Sequence, residues 1–167
     1  MDHPSPSSQT TPQTREAPIL GWREWVGLPD LGIPAIKCKV DTGARSSALH
    51  TFHIEPFTRD GHEWVRFGIH PHQHDATTEV WCEAPVLDIR RVTDSGGHSG
   101  DRYFITTRVQ LGPLLLPVEL SLTSRDTMLF RMLLGREAMR GRFLVDPQAS
   151  FIASHRPSTP TAQQAPE

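Results

Sequence analysis

The chain has 167 residues, of which 37% are hydrophobic and 22% are charged, and its formal net charge is −2. A chain of this length accommodates one domain, which excludes a two-lobed enzyme whose lobes each supply part of an active site. The near-neutral charge gives no electrostatic basis for binding nucleic acid, and no stretch approaches the ~20 apolar residues of a membrane span. We therefore expect neither a nucleic-acid partner nor a membrane partner.

The two ends of the chain differ in composition from the middle. Residues 1–18 and 154–167 are rich in Pro, Ser, Thr and Gln and contain no aromatic residue. Such segments cannot bury enough apolar surface to offset the entropy lost on ordering, so we predict two disordered tails around one folded domain at 19–153. The N-terminal residues also lack the apolar run of a secretory signal, and we expect a cytoplasmic protein.

Between these ends, the sequence predicts short β-strands. Ile36, Cys38 and Val40 alternate with two lysines, which is the period of a half-buried strand. Turn residues separate the other predicted strands, which lie at 22–28, 33–40, 47–54, 63–70, 80–89, 102–111, 114–122 and 128–134. A helix of one or two turns is predicted at 136–140, directly after Gly135. Many strands and one short helix indicate an all-β barrel or sandwich.

The predicted strand at 33–40 runs directly into Asp41-Thr42-Gly43. An acid at the end of a core strand is held on a rigid element, and Gly43 permits a tight turn with close approach of another backbone. Taken alone, the triplet is better explained as an Asx turn that ends a strand. A second feature changes this interpretation, because the apolar segment at 128–134 ends in Leu134, and Gly135 and the predicted helix follow it.

In this order, the two features resemble the retropepsin-like aspartic proteases. The resemblance is to the bacterial and archaeal branch often labelled "ATP-dependent zinc protease", and it covers about residues 20–152. Four segments carry it: Gly21-Trp22-Arg23-Glu24-Trp25-Val26, the stretch from Val40 to His50, Met132-Leu133-Leu134-Gly135-Arg136-Glu137-Ala138, and Phe143-Leu144-Val145-Asp146-Pro147. The resemblance implies a single retropepsin-like acid-protease barrel.

The resemblance also implies roles for individual residues. Asp41 matches the catalytic acid, and a set of neighbours matches the residues that support its loop: Thr42, Gly43, Ala44, Leu134 and Gly135. An aspartic protease needs two carboxylates that share one proton, and a domain of this size supplies one, so the implied enzyme is a homodimer with two copies of Asp41. In viral members, an acid soon after the triplet pairs with an Arg at the position of Arg136. Here Arg45 and two serines occupy that stretch, so we expect another partner for Arg136.

The sequence does not support the cofactors in the family label. A phosphate-binding loop and a zinc-binding His-Glu-x-x-His are both absent, so we expect neither ATP nor zinc. The cluster of His70, His72 and His74 is the remaining metal candidate, although Pro71 and the polar residues after it favour an exposed loop. His50 either lines the cleft or is a structural histidine. Cys38 and Cys82 are interpreted as buried thiols.

The substrate class depends on where the arginines lie. Several of them fall near predicted strand ends, and their convergence on the cleft would favour acidic or glutamylated peptides: Arg23, Arg90, Arg91, Arg102, Arg125 and Arg136. Some members of the family are associated with an ATP-grasp ligase that adds glutamates. Asp94-Ser95-Gly96 resembles a second catalytic triplet, but its polar surroundings indicate a hairpin tip, which we interpret as a possible flap over the cleft.

The leading hypothesis is therefore an aspartic endopeptidase that hydrolyses peptide bonds through Asp41 as a homodimer. The alternative is a non-catalytic retropepsin-fold module that binds a peptide or protein in the same cleft. A metal-dependent hydrolase that uses the histidine cluster is a third, weaker hypothesis.

Overall fold

The computed structural model describes residues 17–94, 96–125 and 128–154, which form twelve β-strands and one short α-helix. The strands are β1 (Ile19–Leu20), β2 (Arg23–Leu28), β3 (Ile33–Asp41), β4 (Ser47–His50), β5 (His53–Arg59), β6 (His62–Ile69), β7 (Val80–Pro85), β8 (Asp88–Thr93), β9 (Ser99–Leu111), β10 (Leu114–Thr123), β11 (Met132–Gly135) and β12 (Leu144–Val145). The helix, α1 (Arg136–Met139), follows β11 directly. The prediction of an all-β domain with one short helix after Gly135 is confirmed.

The largest sheet closes into a barrel. Its strand order is β10-β4-β11-β3-β2-β9, and β9 pairs with β10 to complete the ring, while β8 extends the sheet beyond β9. Alternating residues of β3 point into the barrel, where Ile36 and Cys38 are fully buried and Val40 is nearly so. The period-two pattern of this strand is therefore the one that the sequence predicts.

β11 lies between β3 and β4, and this position determines where the loop after Asp41 lies. These two strands are consecutive in the chain, yet β11 separates them and is parallel to β3 and antiparallel to β4. Gly135 at the end of β11 is in register with Asp41 at the end of β3. The loop of residues 42–46 therefore folds over the junction between β11 and α1.

Two predicted strands are each divided between two sheets. In the predicted strand at 47–54, Thr51 donates its backbone N–H to Thr123 of the barrel, whereas Phe52 donates to Gly68 of a second sheet. That sheet is three-stranded, in the order β5-β6-β7, and the apolar side chains of Val65 and Phe67 join the barrel core. The predicted strand at 80–89 divides in the same way into β7 and β8. In both cases the hydrogen-bonding partner changes within a segment that the sequence predicts as one strand.

Buried Glu24 fastens the C-terminal end of the domain to β2. Its carboxylate is 1% exposed and accepts hydrogen bonds from the backbone N–H groups of Gly21, Ile152, Ala153 and Ser154, and from the Ser154 hydroxyl. Ser154 is consequently buried as part of the folded unit. The remaining residues of the two predicted tails, 1–16 and 155–167, lie outside the described residues. No helix in the described part of the chain is long and apolar enough to cross a membrane.

Candidate active site

The loop after β3 is a tight turn organised by Asp41. Oδ1 of Asp41 accepts a hydrogen bond of 2.9 Å from the N–H of Gly43, and its backbone carbonyl accepts one from Ala44 at 3.3 Å. Asp41 is partly buried, while Thr42 and Gly43 are exposed. The turn therefore presents the carboxylate at the rim of the barrel, on a backbone that its own side chain helps to fix.

The end of β11 supports this loop at close range. The N–H of Gly135 donates to Oγ of Ser47 at 3.0 Å, and the preceding residue, Leu134, is buried next to Val40 of β3. A Cβ atom on Gly135 would lie 2.5 Å from the carbonyl carbon and oxygen of Ser46. Glycine is therefore required here because the backbone of the loop packs directly against it.

The first turn of α1 completes the support. The N–H groups of Arg136 and Glu137 donate to the carbonyls of Ala44 and Arg45 at 2.8 and 3.1 Å. The guanidinium of Arg136 donates through Nη1 to the carbonyl of Gly43 at 3.2 Å. The loop carbonyls thus satisfy donors at the start of the helix that have no partner within it.

Arg136 therefore contacts backbone carbonyls and does not pair with an acid of the loop. In the ion pair between loop and helix, the arginine is on the loop and the acid is on the helix. Nε of Arg45 lies 2.8 Å from Oε1 of Glu137. Both side chains are substantially exposed, and the pairing lowers the pKa of Glu137. An exposed pair of this kind contributes little stability, so its main effect is to orient the loop relative to α1.

His50 is a buried residue of the barrel wall. It is 8% exposed, and its Nδ1 shares a hydrogen bond of 2.6 Å with Oγ1 of Thr123. Burial, together with the positive charges of Arg102, Arg125 and Arg131, lowers its pKa to about 4. His50 is therefore neutral at physiological pH. Of the two roles that the sequence allows for it, lining the cleft or supporting the structure, its surroundings are those of a structural histidine.

The three histidines of the candidate metal cluster have different surroundings. His70 is buried and stacks on Phe52 with ring centroids 4.2 Å apart, and its Nε2 lies 3.9 Å from Oε1 of Glu79. His72 and His74 are exposed. Within the described residues, no group of three His, Cys, Asp or Glu side chains is placed to hold a metal ion.

The two cysteines are free thiols in the core, as the sequence indicates. Burial raises the pKa of Cys38 well above its ordinary value and raises that of Cys82 to about 12. Neither thiol is ionised at neutral pH, so neither has the reactivity of a catalytic cysteine.

A cavity of about 590 Å³ lies between the start of β5, the β8–β9 hairpin and the end of β10. Arg102 and Arg125 both line it, and Oδ2 of Asp94 is 2.6 Å from Nη2 of Arg125. Arg90, the cross-strand neighbour of Arg102 on β8, instead pairs with Asp88 and Glu119 and does not line the cavity. Of the six arginines named from the sequence, only some therefore converge on this cavity. The Asp94–Arg125 pair could not be predicted from a local sequence pattern, because 31 residues separate its members.

Comparison with known proteins agrees with this geometry. Residues 19–156 match the model of a family described as "RimB-like: Retropepsin-like aspartic endopeptidase RimB". A solved structure of a Legionella pneumophila protein of unknown function superposes with a TM-score of 0.68 at 26% identity, covering 82% of this chain and 98% of that one.

Curated relatives carry a different name. The chain is 50% identical over 138 residues to a "Probable alpha-L-glutamate ligase" of Shewanella pealeana, and 51% identical over 132 residues to one of Parasynechococcus marenigrum. These matches cover 83% and 79% of this chain but 30% and 28% of the relatives, so the chain spans less than a third of their length. The family match covers nearly all of the described domain, and the chain therefore belongs to the RimB-like family of retropepsin-like proteins.

Proposed function

We propose that this protein is an aspartic endopeptidase whose active site forms from Asp41 of two chains. The observation that carries the proposal is the Asp41-Thr42-Gly43 turn, held at the rim of the barrel by Gly135 and the first turn of α1. Membership of a family described as retropepsin-like aspartic endopeptidases supports it.

The proposed chemistry explains why two copies are needed. One ionised carboxylate takes a proton from water, which attacks the scissile carbonyl, while the second, protonated carboxylate donates a hydrogen bond to the carbonyl oxygen. Two carboxylates in close contact cannot both ionise easily, so the pair shares one proton. Exposed Thr42 and Gly43 leave this loop accessible to a second chain. The reaction needs neither zinc nor ATP.

The substrates proposed are peptides or proteins with acidic or glutamylated segments. The names of the curated relatives support this class, since a glutamate ligase makes products that carry added glutamate. A functional link to an ATP-grasp glutamate ligase follows from the same proposal. No nucleic-acid or membrane partner is proposed.

Peptide cleavage tests the proposed function. The wild type and Asp41→Asn are incubated at several pH values with glutamylated peptides and a mixed peptide library, and products are identified by mass spectrometry. We expect cleavage by the wild type and none by Asp41→Asn, because the amide cannot act as the general base. Asp94→Asn is the control and retains activity. Equal product patterns from the wild type and Asp41→Asn would reject the peptidase.

One observation favours a second candidate. The matched segment is less than a third of relatives named as ligases, which fits a module that holds a glutamate-rich chain without cutting it. Such a module binds glutamylated peptide equally well as a monomer and with Asp41 replaced. Binding in a strictly monomeric sample at micromolar concentration, with no cleavage, would favour this candidate.

A further inference from the structure

The cavity beside the β8–β9 hairpin is lined by two arginines and two aspartates. Its acidic and basic side chains are those of His53, Asp94, His98, Asp101, Arg102 and Arg125, and Tyr103 also lines it. Asp101 precedes Arg102 on β9, so the alternation of the strand directs its side chain to the opposite face, where Arg91 is its cross-strand neighbour. Among the described residues, Asp94 is the lining carboxylate that pairs with an arginine of the cavity.

Arg102 has no acidic partner among the residues that the structure describes. It is partly buried, and within the described part of the chain no carboxylate lies within 4.0 Å of its guanidinium. Burial and the nearby charge of Arg125 lower its pKa, and the more distant Asp94 offsets this only in part. A desolvated guanidinium without a carboxylate is energetically unfavourable, and its donor fork matches the two oxygens of a ligand carboxylate.

Asp94 occupies the second arginine. Its Oδ2 bonds Arg125, while its Oδ1 accepts from the N–H groups of Gly96 and His98 at the hairpin tip. The carboxylate of Asp94 therefore links the hairpin tip to Arg125, which follows β10. A ligand carboxylate that replaced Asp94 on Arg125 would break this link and release the hairpin.

Neighbouring strands connect the Asp41 loop with the cavity. Ser47 contacts Gly135, the register partner of Asp41, and His50 lies three residues further along β4, about 10 Å away at the rise of a strand. Thr123, the partner of His50 on β10, lines the cavity. An extended peptide covers about 10 Å in three residues, and each strand spacing between Asp41 and the cavity adds about 5 Å.

We propose that Arg102 and Arg125 form a subsite for an acidic side chain of the ligand, and that Asp94 is an internal carboxylate which the ligand displaces. The role of this subsite in catalysis rests on the proposed function, in which it selects an acidic residue several positions from the scissile bond. Binding itself does not depend on cleavage.

The test measures binding in a chain that cannot cut the ligand. Asp41→Asn protein is titrated with a blocked tetra-glutamate peptide, and blocked tetra-glutamine is the uncharged control, by calorimetry at low salt. Adding Arg102→Gln should weaken tetra-glutamate binding about tenfold or more, the usual effect of removing a charged hydrogen-bonding partner. Adding Asp94→Asn should strengthen binding, because the amide keeps its acceptor for Gly96 and His98 but no longer competes for Arg125.

Arg91→Gln is the matched control, since it removes the same charge from the opposite face of the same hairpin. It should leave affinity almost unchanged. An equal loss with Arg91→Gln and Arg102→Gln, or weaker binding with Asp94→Asn, would overturn the subsite. If binding follows these expectations while the wild type cleaves nothing, the subsite stands and the proposed peptidase fails.

Discussion

His50 is buried beside Thr123 and near three arginines, and its pKa is lowered to about 4. The unfolded chain has an ordinary histidine with a pKa of about 6.5, so it binds a proton at pH 5 that the folded protein does not. The stability contributed by neutral His50 is therefore present above pH 6.5 and is lost as the pH falls from there toward 4. Integrated between pH 7 and pH 5, the loss is about 2 kcal/mol.

Urea unfolding at pH 7 and pH 5 measures this loss. In His50→Asn, whose amide can still bond Thr123, the fall in unfolding free energy between the two pH values should be smaller than in the wild type by about 2 kcal/mol. An identical pH dependence in the two proteins would show that His50 titrates normally and is not buried as described.

The residue scale also shows what the sequence can and cannot reveal. Asp41 stands out because strand alternation and the following glycine are local patterns. Glu24 does not, because four of its five hydrogen bonds are to Ile152, Ala153 and Ser154, up to 130 residues away. The catalytic role of Asp41 remains a prediction.

At the scale of elements, the support of the active-site loop depends on β11 and α1. Gly135→Ala places a methyl group 2.5 Å from the Ser46 backbone, which cannot move without displacing the loop. We expect it to cost ~2 kcal/mol or more in unfolding free energy and to reduce any Asp41-dependent activity. Gly100→Ala is the control, because its Cβ would meet nothing within 4 Å, and it should change stability by less than about 0.5 kcal/mol. Equal stability of the two variants, measured by urea unfolding, would contradict the close packing.

The sequence predicts an element correctly where the whole strand pairs within one sheet. β3 has a single buried face, and α1 follows a glycine, so both were identified. The divisions at Thr51–Phe52 and between β7 and β8 were missed, since each is a change of hydrogen-bonding partner between distant segments. Met128 and Leu129 were also assigned to a strand that begins only at Met132, and both are exposed. Hydrophobicity alone does not show which apolar residues pair.

At the scale of the whole molecule, the barrel supplies one Asp41 loop per chain. The central claim is that two chains contribute to one active site, so activity must depend on which chains meet. Mixed dimers of wild type and Asp41→Asn carry one carboxylate and should be inactive, whereas mixed dimers of wild type and Arg91→Gln carry both.

The most direct measurement is the cleavage rate of a fixed amount of wild-type protein after subunit exchange with increasing Asp41→Asn protein. Random pairing predicts that activity per wild-type chain falls to about half at equal amounts and to about a tenth at a ninefold excess. The same additions of Arg91→Gln, a variant outside the proposed subsite, should produce no such fall. A rate that does not change with added Asp41→Asn, in samples shown by exchange of labelled chains to have mixed, would contradict a shared active site.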